Sequence, residues 1–572
     1  MAKRAKKRAK TPKLTPADKA QLKLQNDHRS TIRQIFSNVG FTRVTGVTDK
    51  PFTFDGQTSD IDDIFIFENV FVVAEYTCTR PCDIGDHLKK KKLVFDKILS
   101  NRVAFLQFMK TTFSANANDI DTGYHLSQIE LRIIYCSRFP FDEHYRNNIP
   151  GPVYFDYPAV RYFQELARSV KKSARFEFLS FLKIPPKALG SGGAIQVSAS
   201  SQEYQASLLP EAYSHFENGY KIVTFYAHPD WLLKTAYVLR KDGWRDSLNL
   251  YQRMISKSKI KSIRAYLKKQ KRVFLNNIIV TLPPDVKPLS ADGETIDTSS
   301  LTDTAPVVIK LPDRPNTIGI VDGQHRVFAY HETSDDDMEI AKLRKQQNLL
   351  VTGIIYPEGV SELDKEKFEA QLFLEINSTQ TSPRPKIKQA IGLVLDPFSN
   401  ESIATRVLSE LAKKGPLCGF IEQYFYDTDK LRTASIISYG LKPLVKTAGE
   451  DSVFAIWRHP EKEDITSGKN EAALEDYVNF CVSTINSILG SIRQNLNVRW
   501  TTDTKVPNRV ISTTYINSFL IVARLLIWRR KSIDHKSLAK AFIGLDEVDF
   551  AAYRSSQYKR MADKIIETYF GL

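Results

Sequence analysis

Apolar positions along the chain switch repeatedly between a helical period near 3.6 and a strand period near 2. Over residues 15–36 they recur at helical spacing, and Gly40 ends the pattern. Residues 55–77 read as strands, 86–100 as a basic helix, and apolar segments at 131–135 and 161–179 complete an α/β unit over 15–183. The run Pro185-Pro186-Lys187-Ala188-Leu189-Gly190-Ser191-Gly192-Gly193 has linker composition, so a linker is expected over 184–204. Strands are then predicted at 221–226, 277–282, 307–309, 317–321 and 349–356, with helices at 256–270, 325–332 and 365–376, defining a second α/β domain over 205–400. Between them, the Ser/Thr/Asp-rich stretch 288–306 reads as a mobile loop. Helical periodicity dominates 386–395, 405–413, 471–488, 515–528 and 553–569, so 401–572 is expected to be a helical domain. The fold class is therefore α/β (α+β) and multidomain, with a mostly helical C-terminal region.

Composition narrows the partner. Lys and Arg outnumber Asp and Glu 81 to 65, a net charge of +16 that favours a polyanion, with nucleic acid ahead of a membrane surface. Residues 1–14 are a Lys/Arg/Ala tail expected to be disordered until it meets phosphate, although a purely solubilising tail has the same composition. The five cysteines, Cys78, Cys82, Cys136, Cys418 and Cys481, offer no second pair at zinc spacing and read as free thiols of a reducing, cytoplasmic setting. The basic N-terminus lacks the apolar core of a signal peptide. The most apolar helix, 519–528, is broken by Arg524 and too short for a bilayer, so no membrane partner is expected.

Asp322-Gly323-Gln324-His325-Arg326 is the densest chemical signal. An apolar strand stops at a carboxylate and a glycine, and a helical pattern opens behind an amide, an imidazole and a guanidinium. Glycine admits a ligand close to the backbone, and a helix start presents free N–H groups, so the turn suits a phosphate. The same residues also suit a simple capped helix with Arg326 in a surface pair and His325 packed in a core. Two other segments keep it company. Tyr251-Gln252-Arg253 precedes a helix with Ile260, Ile263 and Leu267 on one face and Lys257, Lys259, Lys261, Arg264 and Lys268 on the other, a DNA-binding candidate. Glu375, Asn377 and Gln380 lie near a helix end, where helix C-capping is the competing explanation.

Together these segments resemble the DGQHR-domain family, which includes the DndB proteins of DNA phosphorothioate systems and is similar to the ParB/sulfiredoxin superfamily. The resemblance covers about residues 205–400 and implies a ParB/sulfiredoxin-like domain. In it Gln252, Arg253, Asp322, Gly323, Gln324, His325, Arg326, Glu375, Asn377 and Gln380 would bind a nucleoside triphosphate or phosphate. Two departures matter. ParB carries two arginines where this chain has His325 and Arg326, and sulfiredoxin's catalytic cysteine is replaced by Gln324. Reductase chemistry is not implied.

The other constellation is Ser59-Asp60-Ile61-Asp62-Asp63-Ile64-Phe65-Ile66-Phe67, a turn, and Val70-Phe71-Val72-Val73-Ala74-Glu75-Tyr76-Thr77. A hairpin here brings an acidic pair against a carboxylate, and converging carboxylates hold divalent metals such as Mg²⁺. The pattern resembles the PD-(D/E)XK (restriction-endonuclease-like) nucleases, which implies Asp62, or Asp60, with Glu75 as the metal pair. Thr77 stands where that family has its lysine. Lys89 or Lys90, in the following basic helix, is the expected relocated lysine, completing a catalytic set of Asp60, Asp62, Glu75, Lys89 and Lys90.

Two functions compete on these residues. One is a metal-dependent DNA-cleaving enzyme with a nucleotide-sensing turn, working beside DNA-modification or defence proteins of a prokaryote. The other is a DndB-like DNA-binding regulator without cleavage. No base-reading motif is visible, and basic charge alone does not separate DNA from RNA.

Overall fold

The computed structural model describes residues 15–79, 84–140, 143–190, 201–216, 219–240, 244, 252–332, 337–380, 385–424, 426–427, 430–553 and 556–571. The basic segment 1–14, Tyr251, Cys82 and the Gly/Ser stretch 191–200 lie outside them. The chain divides into two units, Met1–Val238 with Ile255–Gly359, and Leu239–Met254 with Val360–Leu572. The first is mixed α and β, the second almost wholly helical.

Helix α1 (Pro16–Val39) starts on a Thr15/Asp18 capping box and stops at Gly40, whose φ of 94° is the left-handed conformation a helix end favours. Seven strands follow: β1 (Thr42–Val44), β2 (Lys50–Phe54), β3 (Gln57–Ile61), β4 (Asp63–Phe67), β5 (Val70–Thr77), β6 (Glu130–Ser137) and β7 (Val153–Phe155). β2 and β3 form a separate two-stranded hairpin. The other five make one sheet in the order β1-β4-β5-β6-β7, antiparallel up to β5 and parallel from β5 to β7. On one face α1 and the helix Tyr157–Val170 build an aromatic layer in which Phe36 stacks on Phe65 at 3.9 Å and meets Phe178 edge-on at 5.0 Å. On the other face Phe71 and Val73 of β5 pack with α2 (Ile84–Ser100), which buries Ile84, Leu88, Phe95 and Ile98.

One buried carboxylate ties the five-stranded sheet to α1. Asp63 is fully buried and accepts from Arg33 Nε (2.7 Å) and Nη2 (3.1 Å) on α1, Arg43 Nε (2.6 Å) on β1, Thr48 Oγ1 (3.2 Å) and Tyr76 Oη (2.8 Å) on β5. A buried charge is tolerable only with such compensation.

The first unit also holds an eight-stranded mixed sheet made of β8 (Ser201–Leu208), β9 (Lys221–Ala227), β10 (Ala236–Tyr237), β11 (Ile278–Leu282), β12 (Pro288–Leu289), β13 (Ala305–Pro312), β14 (Ile318–Asp322) and β15 (Leu349–Ile355). Their order is β10-β14-β11-β15-β9-β8-β13-β12. The predicted strands are all present, but two expectations need correction. The segment expected as linker is structured at both described ends. Leu189 is buried, Asn69 Nδ2 donates to Ala188 O (2.8 Å), the Gly190 N–H donates to Asn69 Oδ1 (2.8 Å), and residues 201–208 pair along β13. Pro and Gly composition signals turns, not whether their flanks pack. The stretch 288–306 carries β12 and a short turn whose Thr298 is buried and donates to Glu211 Oε2 (2.8 Å).

The unit boundaries also differ from those expected. The 205–400 segment is split, because Leu239–Met254 and the helix Glu362–Gln380 belong to the second unit. That unit's core is built by Asn400–Lys413, Glu471–Leu496, Thr513–Trp528 and Tyr558–Phe570. Among the described residues no helix is long and apolar enough to cross a membrane. Cys78, Cys136, Cys418 and Cys481 are free thiols.

Because Arg33 and Arg43 remain partly exposed, replacing Asp63 costs less than breaking a fully enclosed pair. Asp63→Ala is expected to lower unfolding free energy by roughly 2–4 kcal/mol in urea denaturation, against less than about 1 kcal/mol for the exposed Asp119→Ala.

Candidate functional site

Alternation along β5 puts Phe71, Val73, Glu75 and Thr77 on the face that looks at α2. The parallel register sets Tyr135 of β6 opposite Glu75. Glu75 is thus a carboxylate at the end of an apolar row, with a side chain only 7% exposed. The lysine that reaches it is Lys91. Positions 84, 88, 91, 95 and 98 advance in steps of four and three, the inward stripe of a helix, and Lys91 occupies a place where its neighbours on the stripe are apolar. Its Nζ lies 3.0 Å from Glu75 Oε2 and 2.7 Å from Asp60 Oδ1. Lys89 and Lys90, the expected lysines, are exposed, one and two positions off the stripe. The lysine that meets Glu75 is thus Lys91, not Lys89 or Lys90.

Asp62 sits at the bend between β3 and β4. Its Oδ2 accepts the Tyr76 N–H (2.7 Å) and its Oδ1 accepts from Arg29 Nη2 (2.5 Å), while Arg29 also grips Asp49 through both terminal nitrogens (2.8 and 3.0 Å). His87, one turn before Lys91, shares a hydrogen bond of 2.6 Å between its Nδ1 and Tyr135 Oη, and its Nε2 stands 3.7 Å from Glu75 Oε1. Thr77, at the family's usual lysine position, is buried, and its hydroxyl donates to Thr79 Oγ1 (3.0 Å). Arg29, His87, Lys91 and Tyr135 were not among the expected site residues. Lys91 could have been found by extending the helical stripe, whereas the other three depend on which strands and helices neighbour β5.

Burial dominates the electrostatics. It pushes the Glu75 carboxyl up to about 8, with Lys91 pulling downward and Asp62 adding to the rise. It also raises Asp62 to about 6 against the Tyr76 N–H and Arg29. Burial opposes the Lys91 charge, but Glu75 and Asp60 outweigh it and leave the ammonium above its ordinary value. His87 is pushed down by burial and by Lys91, which favours neutral imidazole. The donor set suits a divalent cation, since Asp62 and Glu75 supply hard oxygens with lone pairs left after their present bonds. Among the described residues no group of three or more His, Cys, Asp or Glu is arranged to hold a metal, so any ion here would complete its shell from water or substrate.

The Asp322–Arg326 turn looks inward. β14 ends at Gly323, whose φ is 99° and where an added Cβ would come within 2.6 Å of Ile278 Cδ1, so glycine is required twice over. The helix behind it, Gln324–Phe328, is five residues long. Arg326 Nη2 pairs back onto Asp322 Oδ2 at 2.6 Å, Gln324 is buried, and His325 Nε2 accepts the Ser256 N–H at 3.0 Å. On the basic helix Lys257–Gln270, Lys259 and Lys261 are exposed and Lys257 is half-buried. Arg264 is structural: it donates to Ala329 O (2.8 Å), His331 O (3.0 Å) and Asp337 Oδ2 (3.0 Å), and Lys268 joins it on Asp337 at 2.7 Å.

The expected partners of the turn fall in the second unit. There Gln252 is buried, its N–H donating to Leu239 O (3.0 Å), and Arg253 is exposed. Glu375 is exposed and accepts from Gln371 (3.0 Å), and Asn377 Nδ2 donates to Phe373 O (2.8 Å) within its own helix. The Gln380 side chain lies outside the described residues. No family model, curated protein or solved structure matches the chain.

Two outcomes follow. A carboxyl raised from 4.5 to about 8 contributes stability that is fully present below pH 4.5 and is lost as pH rises through 8. In EDTA, Glu75→Gln should therefore gain on wild type between pH 5 and 8.5, by about 2–4 kcal/mol, read from urea midpoints at each pH. Arg264→Ala should destabilise by roughly 1.5–3 kcal/mol through its orphaned carbonyls, whereas Lys259→Ala should stay within about 0.5 kcal/mol.

Proposed function

We infer that this chain acts on DNA, and that the Asp62/Glu75/Lys91 site is a divalent-metal-assisted phosphodiester-cleaving centre of restriction-endonuclease-like type. The observation that carries this reading is Lys91, held at 3.0 Å from a buried Glu75 and 2.7 Å from Asp60 at the end of a strand hairpin. Asp62 and Glu75 would hold the ion. When bound, Mg²⁺ or Mn²⁺ would polarise the phosphodiester and lower the pKa of an attacking water. Lys91 offers an ammonium to the phosphate oxygens, and Tyr135 orients His87 beside Glu75. The +16 net charge supports a nucleic-acid partner, with Lys259 and Lys261 available for phosphate contact. A DGQHR-type role in prokaryotic DNA modification or defence, with nucleoside triphosphate at the Asp322–Arg326 turn, rests on the pentapeptide alone.

A second reading, a DndB-like DNA-binding regulator without cleavage, is favoured by the buried Thr77 in place of a lysine. Incubation of supercoiled plasmid with Mg²⁺ or Mn²⁺ separates the two. Nicking or linearisation by wild type is expected, with a loss of at least about 100-fold in Glu75→Gln and Lys91→Ala, in line with removal of a metal ligand or transition-state cation. Equal cleavage by Glu75→Gln would move the activity away from this site, and binding without cleavage would leave the regulator.

A further inference from the structure

The Lys91 ammonium has no vacancy. Besides Glu75 and Asp60 Oδ1 it lies 3.3 Å from both Ser59 Oγ and Asp60 O, so its three N–H groups are fully committed. The two carboxylates differ in kind. Glu75 lies behind the lysine with 7% of its side chain exposed, and Asp60 lies on the solvent side with 54% exposed. An incoming oxyanion could reach Lys91 only where Asp60 now sits.

Asp60 is carried by the β2–β3 hairpin, which is not part of the main sheet. Phe52 in mid-strand and Phe54 beside the turn pack that hairpin against Phe105 and Phe108. Its tip is tied to α2 by Lys97 and Asp55 at 3.1 Å. Asp60 lies at the open end of the hairpin, opposite Pro51 and next to the buried Ile61. The Asp55 and Asp60 carboxylates are held by ion pairs exposed on at least one side, which solvent screens and which exchange at little cost.

We propose that Asp60 is a built-in substrate mimic: its carboxylate occupies the outward position on Lys91 and is displaced by a backbone phosphate of DNA. The proposal rests on the cleavage-site reading for its choice of ligand, and it reassigns Asp60 from metal ligand to gate. No covalent step is involved. A phosphodiester brings its own anionic oxygens to the ammonium, so the exchange conserves the lysine's bonds while releasing the Asp60 side chain.

The test is fluorescence anisotropy of a labelled DNA duplex in EDTA, with thermal melts to show that each variant is folded. Asp60→Asn is expected to tighten binding about three- to tenfold, the scale of one exposed charge pair. Asp55→Asn, the same charge change on the same hairpin, should do much less. In a Lys91→Ala background the Asp60→Asn gain should vanish. A gain no larger than that of Asp55→Asn, or one that persists without Lys91, overturns the proposal. So does loss of Mg²⁺ or Mn²⁺ binding by Asp60→Asn in titration calorimetry, which would make Asp60 a ligand. Lysine-dependent tightening without plasmid cleavage upholds the gate and removes the cleavage reading. Cleavage without that coupling does the reverse.

Discussion

The five-stranded sheet is organised around one buried carboxylate, Asp63. Asp63 is sealed from water, and α1, β1, the turn at Thr48 and β5 each lend it a donor. That arrangement locks the β4–β5 register, with Asp63 opposite Ala74. Register matters because a slip of one residue would send Glu75 to the α1 face and a hydrophobic neighbour to α2. The candidate site is thus a by-product of a structural ion network. Asp62, one residue earlier, lies at the strand's entrance, where it takes the Tyr76 N–H.

Elements with a strong local signal were legible in the sequence. The helical period from residue 15 and the Gly40 stop bracket α1, alternation marks the hairpin, and the central strands fall where their apolar runs predict. Lys91 was half-legible. The steps from Ile84 to Leu88 and from Phe95 to Ile98 already define the stripe, but a run of four lysines hides which one lies on it. Asp63 was illegible as a keystone, because Asp60, Asp62 and Asp63 look alike until the sheet order puts Arg33 and Arg43 beside one of them. The unit boundaries were lost for a related reason. Composition registers turns, whereas Leu239–Met254 joins residues beyond 360 through contacts that no local window contains.

The most conspicuous motif proved to be the most self-contained. In the Asp322–Arg326 turn, the carboxylate and guanidinium pair with each other, the imidazole accepts the Ser256 N–H at the start of the basic helix, and Arg264 takes carbonyls beyond the short helix. Gly323 is explained by its φ and by the closeness of Ile278 without any ligand. The quieter segment, with an unremarkable glutamate at the end of a strand, holds the buried carboxylate, the ion pair and the raised pKa. Density of functional residue types in a sequence and density of unusual chemistry in a fold are different quantities, and here they point to different places.

Asn69 bears on how the molecule is made. It sits in the β4–β5 turn, 1% exposed, with Nδ2 donating to Gln128 O and Ala188 O and Oδ1 accepting from Gly190. Its partners lie 59, 119 and 121 residues downstream. Until those residues are made, the Asn69 amide is served by water, and its burial has to wait for Gly190. The turn that leads into the strand of Glu75 is therefore sealed by segments made long after it, so its native burial waits on Gln128, Ala188 and Gly190.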